Sequence, residues 1–384
     1  MPSDAQAYYQ PIRVAFLGGG RKSAVGRAHL AAIQLDGLFK LTAGCFSRNE
    51  KENLETARIY SVSEQYCCSS FDELIKLHKS VFDVVIVLTP TNQHCEAIAN
   101  CVRQGIPVVC EKSMVSSLQE VRMLEELRRQ YKGYLCVTYN YTGYPMIREL
   151  RTRIHRGDLG DLQQLMLEMP QEGFIRLDEN GKPVTPQEWR LNDSDVPTVS
   201  LDLGAHLQMF VEFLTGRDAT EVIATSNTYG NFENIEDSVS CIANYEAGMT
   251  SMFWYTKAAL GNRNGMRLRI FGTKGSAEWI QTQPEFLYLT NAYGERSVLD
   301  RGSPGVVESN KSRYTRFKAG HPAGYVEAFA NYYADVASDL RQFLSGHAPS
   351  SSYVFGVDEE LKSMALMEAI HMSSRLKKWV PVSG

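Results

Sequence analysis

The chain reads as an α/β unit built on a doubly wound parallel sheet, followed by an α+β unit with a mostly antiparallel sheet. Three observations predict this. An apolar run at 14–17 ends on three glycines, strand and helix alternate from there to about residue 140, and beyond about residue 144 alternating stretches are joined by hairpin-like turns. A length of 384 residues exceeds one ordinary core and suits two units, taken as 1–140 and 141–384.

The glycines carry the first chemical expectation. A pyrophosphate lies against bare backbone N–H groups at a helix N-terminus, and glycine lets the chain turn and come that close. Gly18 and Gly20 form the natural first pair of a dinucleotide fingerprint. Ser23 stands where the third glycine is expected and Gly26 comes three residues later, so either serine substitutes or the loop carries an insertion before Gly26; the insertion is favoured. The bland alternative is a glycine turn that binds nothing. A helix over 28–35 and a strand over 41–46 follow, ending at Ser47-Arg48-Asn49. In a dinucleotide fold this tip meets the adenosine ribose, where an acidic residue holds a 2′-hydroxyl and an arginine accommodates a 2′-phosphate. Ser47 and Arg48 therefore fit NADP and leave NAD open, with a solvated loop arginine as the plainer reading.

A short helix over 71–78 precedes a nearly continuous apolar strand over 81–88, the pattern of a strand buried on both faces. Its tip carries Thr89, Pro90, Asn92 and His94, placed where ligands bind in open α/β sheets. These residues are expected to face the cofactor, although His94 equally suits a helix histidine bonded to backbone. Helix 96–104 and strand 107–110 lead to Glu111-Lys112-Ser113, and helix 117–130 and strand 134–138 lead to Tyr139-Asn140-Tyr141. A lysine facing a crevice can polarise an oxygen, which a surface lysine does not do.

Composition narrows the partners. A net charge of −4 supplies no basic excess to replace phosphate counterions, which argues against nucleic acid and for a small ligand. No stretch is apolar over a membrane's thickness and residues 1–10 lack the pattern of an export leader, so a cytoplasmic location is expected. The eight cysteines never form a Cys-x-x-Cys pair, which signals neither zinc nor a disulfide framework. The adjacent Cys67 and Cys68 suit packing better than redox chemistry.

In the second half, a helix over 145–155 precedes strands at 162–169, 221–227, 238–245, 249–255, 268–271 and 277–280. Turns at 246–248 and 273–275 read as hairpins, and helices close the chain over 326–343 and 358–378. Such a sheet leaves one face for substrate or for a second copy, and a homo-dimer or homo-tetramer is expected. The segment 171–200 is too long for an ordinary loop, which makes it a lid or a disordered excursion. Asp202 and His206 are four residues apart ahead of a helical apolar run that stops at Gly216, so both are expected on one helix face. An aspartate there can fix the histidine tautomer and raise its basicity.

Taken together, the Gly18 loop, Ser47-Arg48, Thr89-Pro90 to His94, Glu111-Lys112, Asn140 and Asp202-Leu203-Gly204-Ala205-His206 make the chain resemble the Gfo/Idh/MocA oxidoreductases over nearly its whole length. The resemblance implies a reaction centre of Lys112, Asp202 and His206 without a metal, and a sugar or cyclitol substrate. It further implies cofactor contacts from Gly18, Gly20, Ser23, Gly26, Ser47, Arg48, Thr89, Pro90, Asn92, His94, Glu111 and Asn140, with NAD or NADP. Tyr141, Trp189, Arg190 and His321 are the implied substrate contacts. Ser113 departs from the proline of the family's Glu-Lys-Pro motif. His206 would take the hydroxyl proton, Lys112 would stabilise the alkoxide, and Asp202 would orient one of them. Cofactor-assisted glycoside cleavage and a non-catalytic NADP-binding regulator are the two alternatives.

Overall fold

A computed structural model describes residues 10–383, so most of the segment read as lacking a leader lies outside the described residues. In chain order the first elements are β1 (Ile12–Gly18), α1 (Ala24–Leu35), β2 (Phe39–Cys45), α2 (Glu50–Ile59), α3 (Phe71–Ile75), β3 (Val84–Leu88), α4 (His94–Arg103), β4 (Val108–Glu111), α5 (Leu118–Tyr131) and β5 (Leu135–Thr138). Then come α6 (Pro145–His155), β6 (Leu162–Pro170), α7 (Ala205–Thr215), β7 (Ala219–Asn227), β8 (Ser238–Tyr245), β9 (Thr250–Thr256), β10 (Arg267–Gly272) and β11 (Gly275–Ile280). The last are β12 (Leu287–Asn291), β13 (Arg296–Leu299), α8 (Tyr325–Leu344), α9 (Val357–Leu376) and β14 (Val380–Pro381).

The chain divides into two compact units. The first runs through residue 114, takes 123–138, and is completed by 329–357; the second holds 115–122, 139–328 and the remainder. One break between the units lies at 138/139, and 329–357 belongs to the first unit. The reason is specific bonding. The Tyr332 hydroxyl donates to the Val137 carbonyl at 2.5 Å and accepts from the Phe355 amide at 3.1 Å, and Val137 N–H donates to the Phe355 carbonyl at 2.9 Å.

Within the first unit a five-stranded sheet has the order β2-β1-β3-β4-β5, parallel throughout. Every residue of β3 is buried, as a strand covered on both faces requires. The order in which successive strands are added reverses between β1 and β3, where Gly18 pairs with Leu88, and this switch point opens a crevice at the strands' carboxyl ends. Helix α1 begins at Ala24, ahead of the expected residue 28, because the Ser23 hydroxyl caps it by accepting from Gly26 N–H.

The second unit carries a nine-stranded sheet, β13-β12-β11-β10-β6-β9-β8-β7-β14. Its pairs are antiparallel except β6 with β9. Side chains alternate with period two. Val239, Cys241, Phe253, Tyr255, Leu165, Leu167, Leu268, Ile270 and Trp279 are buried. The opposite set includes exposed Ile242 across from Met252, and exposed Trp254 across from Ser240. The turns at 246–248 and 273–274 join β8 to β9 and β10 to β11 as hairpins. Among the described residues no helix is long and apolar enough to cross a membrane.

Removing the Tyr332 hydroxyl leaves a buried carbonyl and a buried amide each short of a partner. Tyr332→Phe is expected to cost about 1–3 kcal/mol, read as a lower denaturant midpoint at unchanged slope in urea unfolding.

Candidate active site

In the first unit, the crevice at the β1/β3 switch point is built around glycine. Gly18 has φ +83°, and a Cβ there would stand 2.8 Å from the Leu88 carbonyl oxygen. A Cβ on Gly26 would stand 1.9 Å from the Gly19 carbonyl oxygen, so α1 packs against the turn with no room for a side chain. Gly26 thus occupies the close helix–turn contact that a third fingerprint glycine makes. Ser23 is the cap instead. Gly20 faces the Phe46 carbonyl, with its would-be Cβ 3.1 Å away.

At the β2 tip the Asn53 amide oxygen accepts from Phe46 and Ser47 N–H at 2.8 and 3.3 Å, and the Ser47 hydroxyl accepts from Asn49 N–H. Arg48 is exposed and donates to Gln93 Oε1 at 3.2 Å. At the β3 tip the buried Thr89 hydroxyl has no hydrogen-bond partner. Pro90 precedes the 3-10 turn Thr91–Gln93, on which Asn92 is exposed. His94 is 1% exposed, with Nε2 2.7 Å from the Thr89 carbonyl and Nδ1 3.0 Å from the Ser113 carbonyl. The ring lies between the β3 tip and the residue after Lys112, with its one N–H donated to one of these two carbonyls, which is the backbone-bonded helix histidine of the two readings. Burial pushes this imidazole below its ordinary value of 6.5. The peptide between Lys112 and Ser113 is cis.

A cradle with no room for a Cβ at Gly18 or Gly26, a capped helix N-terminus and an orphaned hydroxyl fit a dinucleotide's pyrophosphate and ribose. Among the described residues no group of three or more His, Cys, Asp or Glu side chains is arranged for a metal ion.

In the second unit, His206 lies on the first turn of α7 and is 6% exposed. The Tyr141 and Tyr139 rings meet it edge-on at 4.7 and 5.9 Å. Tyr139 donates to Glu360 at 2.8 Å, and the Tyr141 hydroxyl accepts from Asn264 at 3.0 Å. Asp202 does not sit on the regular helix that its spacing suggests. It lies in a π-turn, Ser200–Gly204, closed by Ala205 N–H donating to the Ser200 carbonyl. Such one-residue widenings are frequent at functional sites.

One oxygen of Asp202, Oδ2, takes two cations, Arg190 and Lys257, the latter at 2.5 Å. Lys257 is 4% exposed, also donates to Gln171 Oε1 at 3.3 Å, and stands 5.4 Å from the centre of the Phe174 ring. It went unread in the sequence because a lone lysine after an apolar strand carries no pattern. Within the 171–200 segment the 3-10 turn Glu188–Leu191 presents Arg190. Trp189 is half-buried and stacks under the Arg190 guanidinium at 4.5 Å. Asn140 is 3% exposed, and its amide nitrogen has no partner. His321 is exposed on a loop whose backbone is held by Arg301, and its ring joins none of these groups.

Comparison with known proteins agrees with this architecture. Residues 12–139 match the oxidoreductase family with an NAD-binding Rossmann fold, and residues 147–278 match the GFO/IDH/MocA C-terminal domain. A myo-inositol dehydrogenase of Streptomyces leeuwenhoekii is 30% identical over 87% of this chain and 88% of its own. The chain belongs to the Gfo/Idh/MocA family. It is an NAD-binding oxidoreductase of that family. The uncharacterized oxidoreductase YfiI of Bacillus subtilis is 27% identical over 85% of each chain. An inositol dehydrogenase homolog from Azotobacter vinelandii, solved with NADH and myo-inositol, superposes with a TM-score of 0.87 over 97% of this chain and 98% of its own, at 25% identity.

Two outcomes follow for the first unit. Gly26→Ala forces α1 away from the turn and is expected to raise the NADH dissociation constant by at least about tenfold, or about 1.4 kcal/mol, in a fluorescence titration. Because His94 is disfavoured as a cation in the fold, the unfolded chain binds its proton more readily, and stability falls as pH drops below about 6.5. Urea midpoints measured from pH 7 to pH 5 are expected to slope less in His94→Gln than in the parent.

Proposed function

We propose that this enzyme transfers hydride between NAD(P) and a secondary hydroxyl of a sugar, a cyclitol or a derivative of one. The observation that carries the reading is the second unit's polar cluster: a largely buried imidazole between two tyrosines, one turn from a carboxylate that holds an arginine and a lysine. A polyol needs several directed donors and acceptors beside one base, and this cluster supplies both kinds. The named activity of the Streptomyces relative and the myo-inositol in the Azotobacter homolog support a polyol.

In this reading His206 accepts the proton of the reacting hydroxyl and returns it in the reverse direction. Lys112 stabilises negative charge on that oxygen. Asp202, with one oxygen given to Arg190 and Lys257, is an orienting group, which leaves the proton to the imidazole. Tyr141, Trp189 and Arg190 are assigned to hydroxyl binding. Bound NAD(P), held by the Gly18–Gly26 turn, the β2 and β3 tips, Glu111 and Asn140, supplies the hydride acceptor. Homo-oligomerisation through the outward sheet face that carries Ile242, Met252 and Trp254 is part of the same proposal.

A panel of sugars and cyclitols with NAD and NADP, read at the nicotinamide absorbance, tests the reaction. His206→Asn and Lys112→Ala are each expected to lower kcat by about 10²–10⁴, with NADH affinity in His206→Asn held within about threefold of the parent, or 0.7 kcal/mol. Parent-level turnover in both variants would remove the assignment. Bound cofactor with no oxidation of any polyol would favour a regulator.

A further inference from the structure

His29, on α1, has no part in the chemistry above, yet its surroundings are those of a working group. The side chain is fully buried. Its Nδ1 lies 2.6 Å from the Tyr333 hydroxyl, while its Nε2 has no hydrogen-bond partner and stands 3.6 Å from Glu111 Oε1. The Phe329 ring closes another side edge-on at 4.5 Å. A buried ring nitrogen left without a partner is uncommon and calls for a reason.

Glu111 is under-committed in the same way. Its side chain is 15% exposed, and the donor that reaches it is the Thr138 hydroxyl at 3.5 Å, a long contact. A carboxylate offers about four acceptor positions, so most of this one's capacity is withdrawn from water and unspent. It stands at the carboxyl end of β4, beside Lys112 in sequence.

The proton on His29 can be placed by elimination. Burial pushes the Tyr333 phenol well above its ordinary value, so it is a neutral hydroxyl with one proton to give. Donated to His29 Nδ1, that proton leaves the ring's own hydrogen on Nε2, facing the carboxylate. The opposite tautomer would aim a lone pair at Glu111 and strand the phenol proton.

We propose that His29 is a positioning residue for cofactor binding. Tyr333 fixes its Nε2–H tautomer, and that N–H steers the Glu111 carboxylate so that its remaining acceptor positions are held ready for hydroxyl groups of NAD(P). The inference rests on the NAD(P) reading of this crevice and adds to it two residues separated by 304 positions in the chain.

NADH titrations on the full chain test it, with unfolding midpoints recorded alongside. His29→Phe and Glu111→Gln are each expected to raise the NADH dissociation constant about tenfold, and the double variant is expected to bind no worse than Glu111→Gln, because both act through one carboxylate. Tyr333→Phe keeps the packing and is expected to raise it about threefold, while the nitrogen-15 signals of His29 move from an Nε2–H pattern toward a tautomer mixture. Losses that multiply to about a hundredfold in the double variant, unchanged affinity in Tyr333→Phe and His29→Phe, or an Nδ1–H parent each overturn the proposal. Should His29→Phe fail to fold, Tyr333→Phe and the parent's tautomer decide it. A parent that binds neither NAD nor NADP in the same titration overturns the cofactor reading itself, and this inference with it.

Discussion

The contact between Gly26 on α1 and the Gly19 carbonyl is the constraint on which the first unit's site depends. With no side chain between helix and turn, the N-terminus of α1 is brought to the crevice, and its unpaired amides are offered where an anion can lie. Ser23 serves the same end from the other side by capping the helix where it must start. The β1/β3 switch point then does the rest, since helices leave the sheet in opposite directions on either side of it.

The second unit uses charge where the first uses absence of bulk. Asp202 is gripped by a strand-end lysine and by an arginine from the long 171–200 segment, so one carboxylate oxygen ties that segment and the π-turn just after it to the end of β9, 55 residues on. Gln171 joins the same lysine, which fastens the start of that segment as well as its middle. Breaking one member of such a buried group costs more than the whole contributes, because the others are left as uncompensated charge.

Much of this was legible in the residues. Helix α6 has the bounds its periodicity predicts, Pro145–His155, and the strands of the parallel sheet fall within a few residues of their apolar runs. What escaped had physical reasons. Helix α2 is polar and depends on the Asn49 cap and a few buried side chains rather than on an apolar stripe. Strand β13 is largely exposed, so it lacks the alternation that marks a half-buried strand. A four-residue spacing cannot distinguish a regular turn from a π-turn, which is why Asp202 read as part of the helix. Lys257 and the pairing of His29 with Tyr333 are products of tertiary folding, and no local pattern announces them.

The residues that complete the first unit come late in the chain. Residues 329–357 supply the phenol that meets His29, the hydroxyl that holds Val137 and the edge that pairs with it. During synthesis, the Val137 carbonyl and the α1 histidine therefore lack these partners until residues 329–357 have been added. A fragment ending near residue 140 would carry every glycine of the fingerprint and still be an unfinished protein.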